Sequence, residues 1–371
     1  MTDEPVRAQY GGACVASVVP VLLRGEHPTW LPEPVRGARA VVLLVLDGLG
    51  WDTLQEHASR MPVIGGMAGG AITTVVPSTT AAALTSITTG LAPAAHGVIG
   101  FRIALDGDVL NVLAYQMARK QRPPDPFSVQ RHAAFLGRDA VVVSSAAFRE
   151  SGFTKVHMRD VRYVGYRVES TLVEHLRLLA RGDERFVYAY YAGIDEVAHG
   201  YGLHTGFYPA ELAAADRLVG DVLDALPSDV ALVVTADHGQ VHVGPDGWRP
   251  LAAVDELLSH ASGDGRFRYL HARRGAAGEL AAAARDAFAD VAWILTRTDL
   301  LDGGWLGPEV APATRRRAGD VVLAARADVA FVDPALPREA QLVSAHGSLT
   351  AAEMLVPLVA ARGGARGASI G

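Results

Sequence analysis

Three apolar runs in this chain each lead into an aspartate. Ala38 to Leu46 runs into Asp47-Gly48, Phe186 to Ala192 into Gly193-Ile194-Asp195, and Asp229 to Val234 into Thr235-Ala236-Asp237-His238. Runs that are apolar on both faces fit central strands of a parallel sheet covered by helices on each side. Open sheets of that kind place their sites at the carboxyl ends of the strands, which is where these aspartates fall. Further strands are predicted at Ala71 to Val76 and Ala140 to Ser145, a hairpin at Phe101 to Ala114, and helices at Trp51 to Met61, Ser170 to Ala180 and Tyr208 to Leu226. Gln121 to Phe127 reads as irregular and Phe148 to Tyr166 as a polar connection. Met354 to Ala361 reads as a closing strand or helix. The predicted class is α/β, a mostly parallel central sheet sandwiched by helices, in a single catalytic domain over 1–371. Between 241 and 337 the pattern changes to short strands and an Ala-rich helix, predicting a smaller inserted subdomain.

A formal net charge of -6 gives no basic face for a nucleic-acid polymer. Cys14 is the sole cysteine, which excludes an intrachain disulfide framework and a thiolate metal site. The Met1-Thr2-Asp3-Glu4 start lacks a basic n-region, and no apolar stretch reaches the ~18 residues of a membrane span. The expectation is a cytoplasmic protein acting on a small molecule, with no membrane partner.

The chemistry-bearing residues cluster at the strand ends. Val75-Val76-Pro77-Ser78-Thr79-Thr80 presents hydroxyls where a small-residue helix begins, ending at Thr89-Gly90. Such hydroxyls ordinarily cap the helix, but the same place also suits attack on or binding of a phosphate. Asp47, Asp195 with His199, Asp237 with His238, and His346 beside Gly347 offer the oxygen and nitrogen donors of a metal site without thiolates. Asp195 and His199 are four residues apart, so one helical turn brings both to one ion. Each residue alone has a bland explanation as a cap, turn former or surface group. Four such coincidences at strand ends or glycine turns do not.

The ordered set Asp47-Gly, Pro-Ser-Thr-Thr80, Thr-Gly-Leu-x-Pro-x-x-His96-Gly, Asp195-x-x-x-His199, Thr-Ala-Asp237-His238-Gly and His346-Gly resembles the alkaline phosphatase superfamily. Within it the chain is most similar to the nucleotide pyrophosphatase/phosphodiesterase branch. The resemblance implies two zinc ions, with manganese as the alternative. Asp195, His199 and His346 would hold one; Asp47, Asp237 and His238 would hold the other, with the Thr80 hydroxyl beside it. It implies attack by Thr80 on phosphorus, a phosphothreonine intermediate and its hydrolysis, with Thr79 the second choice of nucleophile.

The chain departs from its relatives after Thr80. Eukaryotic-type members carry an asparagine there for a nonbridging oxygen, whereas Ala81, Ala82 and Ala83 follow here. Asn111, the only asparagine, and Arg102 are the candidates to replace it. Phe101, Tyr201, Tyr188, Tyr190 and Tyr191 are candidates to line a substrate pocket. The reading is a two-metal hydrolase of phosphodiester or pyrophosphate bonds in a small phosphate ester. A phosphomonoesterase or phosphonate hydrolase is the alternative, and an inactive metal-binding protein is the alternative outside enzymes. A sulfatase lacks its Cys-x-Pro-x-Arg motif here, and a phosphoglycerate mutase its serine and longer insert.

Overall fold

The computed structural model describes residues 4–119 and 121–364; Met1 to Asp3, Lys120 and 365–371 lie outside the described residues. The central sheet is built from β1 (Ala40–Leu46), β2 (Ala68–Thr73), β3 (Val141–Ser145), β4 (Arg162–Tyr166), β5 (Phe186–Tyr191), β6 (Val230–Thr235) and β11 (Leu355–Arg362). Their order across the sheet is β2-β11-β6-β1-β5-β3-β4, and β11 alone runs against its neighbours. The three apolar runs that lead into aspartates are therefore adjacent: β1 lies between β5 and β6 in parallel register, Val45 facing Tyr190 on one side and Thr235 on the other. Both faces of β1 and β6 are buried, which is why these strands carry no polar alternation.

Helices α1 (Val15–Arg24), α2 (Thr80–Thr89), α3 (Glu169–Arg181), α4 (Gly193–Tyr201) and α5 (Phe207–Ala225) flank the sheet. α2 is buried at every position after Thr80. Its alanines let neighbours approach closely, and its hydroxyls bond backward within the helix: Thr85 Oγ1 to Ala81 O at 2.7 Å, Thr88 Oγ1 to Leu84 O at 2.9 Å, Thr89 Oγ1 to Thr85 O at 2.6 Å. Gly90 ends it at φ 72°, where an added Cβ would come within 2.5 Å of Pro20 on α1.

A separate antiparallel sheet contains β7 (Leu258–Gly263), β8 (Phe267–Ala272), β9 (Ala292–Thr296) and β10 (Val321–Ala325) in the order β7-β8-β10-β9. Helix α6 (Ala277–Phe288) packs on one face through Leu280, Ala284 and Phe288, against Leu270 and Leu323. Phe267, Tyr269, Val322 and Ala324 point from the other face into the main core, so strand alternation lets one sheet serve two cores.

The structure corrects several sequence expectations. β2 ends at Thr73 rather than Val76, because its partner β11 begins opposite it at Leu355 and Thr74 N turns to Met354 O. The helix expected to Met61 stops at Glu56, and a short one starts at Pro62. The polar connection Phe148 to Tyr166 holds a helix, Gly152–His157, and the edge strand β4. Among the described residues no helix is long and apolar enough to cross a membrane.

Candidate active site

The ends of β1, β5 and β6, with two loops, bring the predicted polar residues to one point. Asp47 follows β1, Asp237 and His238 follow β6, and Asp195 and His199 sit one turn apart on α4. The His199 Nε2 to Asp195 Oδ1 distance is 3.3 Å. Thr80 opens α2, and the loop before that helix meets the His346 loop: Ser78 N bonds Gly347 O at 3.1 Å, and Ser78 Oγ bonds Ser348 O at 2.7 Å.

The two fully buried carboxylates, Asp47 and Asp237, are each held by one oxygen and leave the other free. Asp237 Oδ1 accepts from Gly48 N at 3.2 Å and His238 N at 3.1 Å, while Oδ2 has no partner. Asp47 Oδ2 accepts the Tyr190 hydroxyl, and its Oδ1 has no partner. Asp195 Oδ1 accepts from the Gln240 amide, whose other end is fixed by Ser344 Oγ at 3.0 Å. A fully buried acceptor without a donor is costly, so two such oxygens facing one site indicate a missing positive partner.

The imidazoles are arranged to match. Nδ1 of His199 donates to Ser344 O at 2.7 Å, Nδ1 of His238 to Gly239 O at 3.1 Å, and Nδ1 of His346 to Ser78 O at 3.0 Å. These bonds make Nδ1 the donor in all three and leave each Nε2 as the acceptor turned toward the site, that of His238 accepting from Thr80 Oγ1. Burial pushes the His238 ring below its ordinary range; burial, then His238 and His199, push His346 well below. Burial also raises Asp47, Asp195 and Asp237, and in Asp47 and Asp237 neighbouring carboxylates add to it. Imidazoles whose Nε2 atoms face carboxylates short of countercharge form a donor set for divalent cations.

The geometric groupings are Asp47 with Asp237 and His238, and Asp195 with His238 and His346. His238 thus stands between the two groups, its ring stacked on His346 at 3.5 Å, while His199 lies 5.3 Å from His346 between ring centroids. Thr80 Oγ1 lies 3.0 Å from His238 Nε2. Thr79 is fully buried with its hydroxyl unpartnered, and it lines neither cavity at the site.

Two cavities open beside Thr80. One, of about 250 Å³, is lined by Leu84, Phe148, Phe153, Met158, Tyr188 and Tyr190. The other, of about 220 Å³, is lined by Phe101, Trp248 and Asp264 together with Asp195, His199 and His346. Leu113 lines both. Among the described residues no lysine or arginine lines either one.

Other predicted contacts fall elsewhere. Arg102 is buried in an ion pair with Asp333, so it is neither a phosphate contact nor a solvated charge. Asn111 is a turn residue: its Oδ1 accepts Ala114 N at 2.9 Å, and it reaches neither cavity. Tyr201 ends α4 half-exposed and stacked on Phe207 at 4.2 Å, outside both cavities. Tyr191 faces away from Tyr190 and bonds Glu169 and Glu211. His96 is satisfied structurally, by Ser86 Oγ at 2.9 Å and Val98 N at 3.1 Å. Gln240, Leu113, Trp248, Phe148, Phe153 and Asp264 were not legible as site residues, since no motif spacing marks them.

The match to the model of the type I phosphodiesterase / nucleotide pyrophosphatase family spans residues 41–349. The chain belongs to that family. As a type I phosphodiesterase / nucleotide pyrophosphatase family member it carries the alkaline phosphatase superfamily fold, and solved structures agree. Murine ectonucleotide pyrophosphatase / phosphodiesterase 5, solved with AMP, superimposes with a TM-score of 0.64 at 15% identity, over 86% of this chain and 87% of that one. Phosphonoacetate hydrolase from Sinorhizobium meliloti, solved with phosphonoformate, gives 0.61 at 20% identity, over 88% and 91%. The catalytic subunit of human GPI ethanolamine phosphate transferase 3 is 26% identical over 174 residues, 46% of this chain but 15% of that relative's length.

Proposed function

We propose that this family member is a metal-dependent hydrolase of phosphodiester or pyrophosphate bonds in a small molecule, with Thr80 as nucleophile. The observation that carries the reading is the Thr80 hydroxyl held 3.0 Å from His238 Nε2, beside two buried carboxylates with one free oxygen each. The donor set fits two divalent cations, zinc or manganese, with Asp47, Asp237 and His238 holding one and Asp195, His199 and His346 the other. Bound there, such cations supply Lewis acidity that makes hydroxyl and water oxygens better nucleophiles and neutralises charge on the phosphoryl group.

The chain's own groups supply the rest. Thr80 Oγ1 gives up its proton to solvent and forms a bond to phosphorus as the bond to the leaving oxygen breaks, giving a phosphothreonine. The leaving oxygen departs as an alkoxide or phosphate that solvent protonates. Water then attacks the phosphothreonine, its oxygen staying on phosphorus while the Thr80 oxygen leaves and takes back a proton. α2 carries no side-chain cap at Thr79, so its first N–H groups are free for the nonbridging oxygens. They stand in for the asparagine that Ala81 to Ala83 cannot replace.

Among the described residues no lysine or arginine lines either cavity, which favours a diester over a monoester. A monoester brings a second negative charge that no described lysine or arginine along the cavities offsets, whereas a diester brings an organic substituent that the apolar cavity suits. Comparing turnover of a nitrophenyl diester and a nitrophenyl monoester by the metal-loaded protein tests this directly. Monoester preference contradicts it.

A further inference from the structure

A third cavity, of about 660 Å³, is larger than the two beside Thr80 and shares no lining residue with either. Segments remote in sequence enclose it: the helix Pro93–His96, the hairpin of Arg102–Leu105 and Asp108–Asn111, residues 124–132, β7 and β8, and the helix Pro312–Arg317. The last of these is docked on the first, Thr314 Oγ1 donating to Ala94 O at 2.7 Å and Arg317 Nη1 to Gly97 O at 2.7 Å.

The charged groups along this cavity are Arg131, Arg316 and Arg317, with Asp106 and Asp108. Asp108 is already committed: one carboxylate oxygen accepts Val109 N at 2.8 Å and the other Arg119 N at 3.2 Å. Asp106 lies on the exposed hairpin turn. None of the three arginines forms an ion pair among the described residues, whereas the adjacent Arg315 reaches Asp302 at 4.0 Å. The contrast is sharpest at Arg317, which is only 3% exposed. The other buried guanidiniums, Arg102, Arg266 and Arg268, are each paired with a carboxylate. Arg317 has the bond to Gly97 O and no carboxylate among the described residues. Burial, then Arg316, push its guanidinium down to about 10, with Asp106 opposing them. A buried cation beside a second cation and short of countercharge is costly, and an anion is the partner that removes the cost.

The imidazoles of the wall are not the donors. His96 receives Val98 N on Nδ1 at 3.1 Å and donates from Nε2 to Ser86 Oγ at 2.9 Å, and His271 Nε2 is bonded to Ser262 Oγ at 2.8 Å. His260 and His271 stack at 4.1 Å and 8°, so two parallel rings line the same space as the arginines.

We infer that this cavity is an anion site, separate from Thr80, that takes the dianionic phosphoryl group of a small molecule, free or esterified. Guanidinium forks match pairs of phosphate oxygens, and the volume admits a phosphorylated small molecule. The inference goes beyond the hydrolase reading and does not rest on it.

Calorimetric titration of the metal-loaded full chain with inorganic phosphate, at about 0.15 M salt to screen loose surface binding, tests it. The wild type is expected to bind two phosphates per chain, one at the proposed metals and one here. Replacing two exposed residues together, Arg131→Gln with Arg316→Gln, spares the core and is expected to weaken one of the two roughly tenfold or more. Arg317→Gln is expected to abolish the same one. No phosphate bound by the wild type, or binding that the double variant leaves unaltered, overturns the inference. If the hydrolase reading fails instead, the wild type binds one phosphate and the double variant loses it. Phenylphosphonate binding more tightly than phosphate at the arginine-dependent site assigns an esterified ligand, and equal or weaker binding assigns free phosphate.

Discussion

The hydroxyl of Thr80 donates to Nε2 of His238 across 3.0 Å, because Nδ1 of that ring is already committed as a donor to Gly239 O. One side chain comes from the start of a helix and the other from the loop after a central strand, 158 residues apart in sequence. That contact places the hydroxyl beside Asp47 and Asp237, whose free oxygens face the same point. Removing the proposed cations should therefore destabilise the fold. With Asp47 Oδ1 and Asp237 Oδ2 left unpaired, chelation is expected to lower the melting temperature by about 5 °C or more, and zinc or manganese to restore it. An unchanged melting curve contradicts the assignment.

Tyr190 acts through Asp47. Its hydroxyl holds one carboxylate oxygen and so aims the other into the site. Tyr190→Phe is expected to weaken metal binding by roughly ten- to a hundredfold in a chelator competition titration. The fold should persist, since the ring itself stays in the core. Unaltered affinity contradicts a positioning role.

Arg102 is predicted to matter for stability rather than specificity. Replacing it with methionine strands Asp333 in a buried network, at a cost of about 3 kcal/mol. The urea midpoint should fall while the diester-to-monoester rate ratio stays constant. A changed ratio with intact stability would return Arg102 to the substrate site.

Strand ends and motif order made the centre of this site legible, and its walls stayed hidden. Asp47, Asp195, Asp237 and His238 are readable because an apolar run stopping at an acid has few explanations in a parallel sheet. Arg102 was misread because sequence gives no sign that Asp333, 231 residues later, waits beside it. Tyr191 was grouped with Tyr188 and Tyr190, although period-two alternation sends it to the opposite face, where Glu169 and Glu211 bind it. β4 and the helix before it were missed because partly exposed edge elements carry polar residues like those of a connection, yet Phe153 and Met158 wall the apolar cavity. The position of His238 between both ligand groups depends on loop geometry that spacing does not encode.

Asp264 gives a pH dependence with a definite sign. Burial pushes its carboxyl up to about 8, with Arg268 the strongest opposing influence. A carboxyl raised on folding contributes stability that is present below its unfolded value near ~4 and lost as the pH rises through its folded value. Urea midpoints of the metal-loaded wild type should therefore fall relative to Asp264→Asn between about pH 4 and 8. Parallel profiles contradict this.

The most direct measurement is turnover of a nitrophenyl phosphodiester by the metal-loaded wild type and its Thr80→Ala variant, with bound metal counted in both. The variant is expected to retain about two metals per chain and to lose roughly a thousandfold or more in rate. A variant that keeps its metals and its rate, or loss of rate on Thr79→Ala but not on Thr80→Ala, would contradict the assignment of Thr80 as nucleophile.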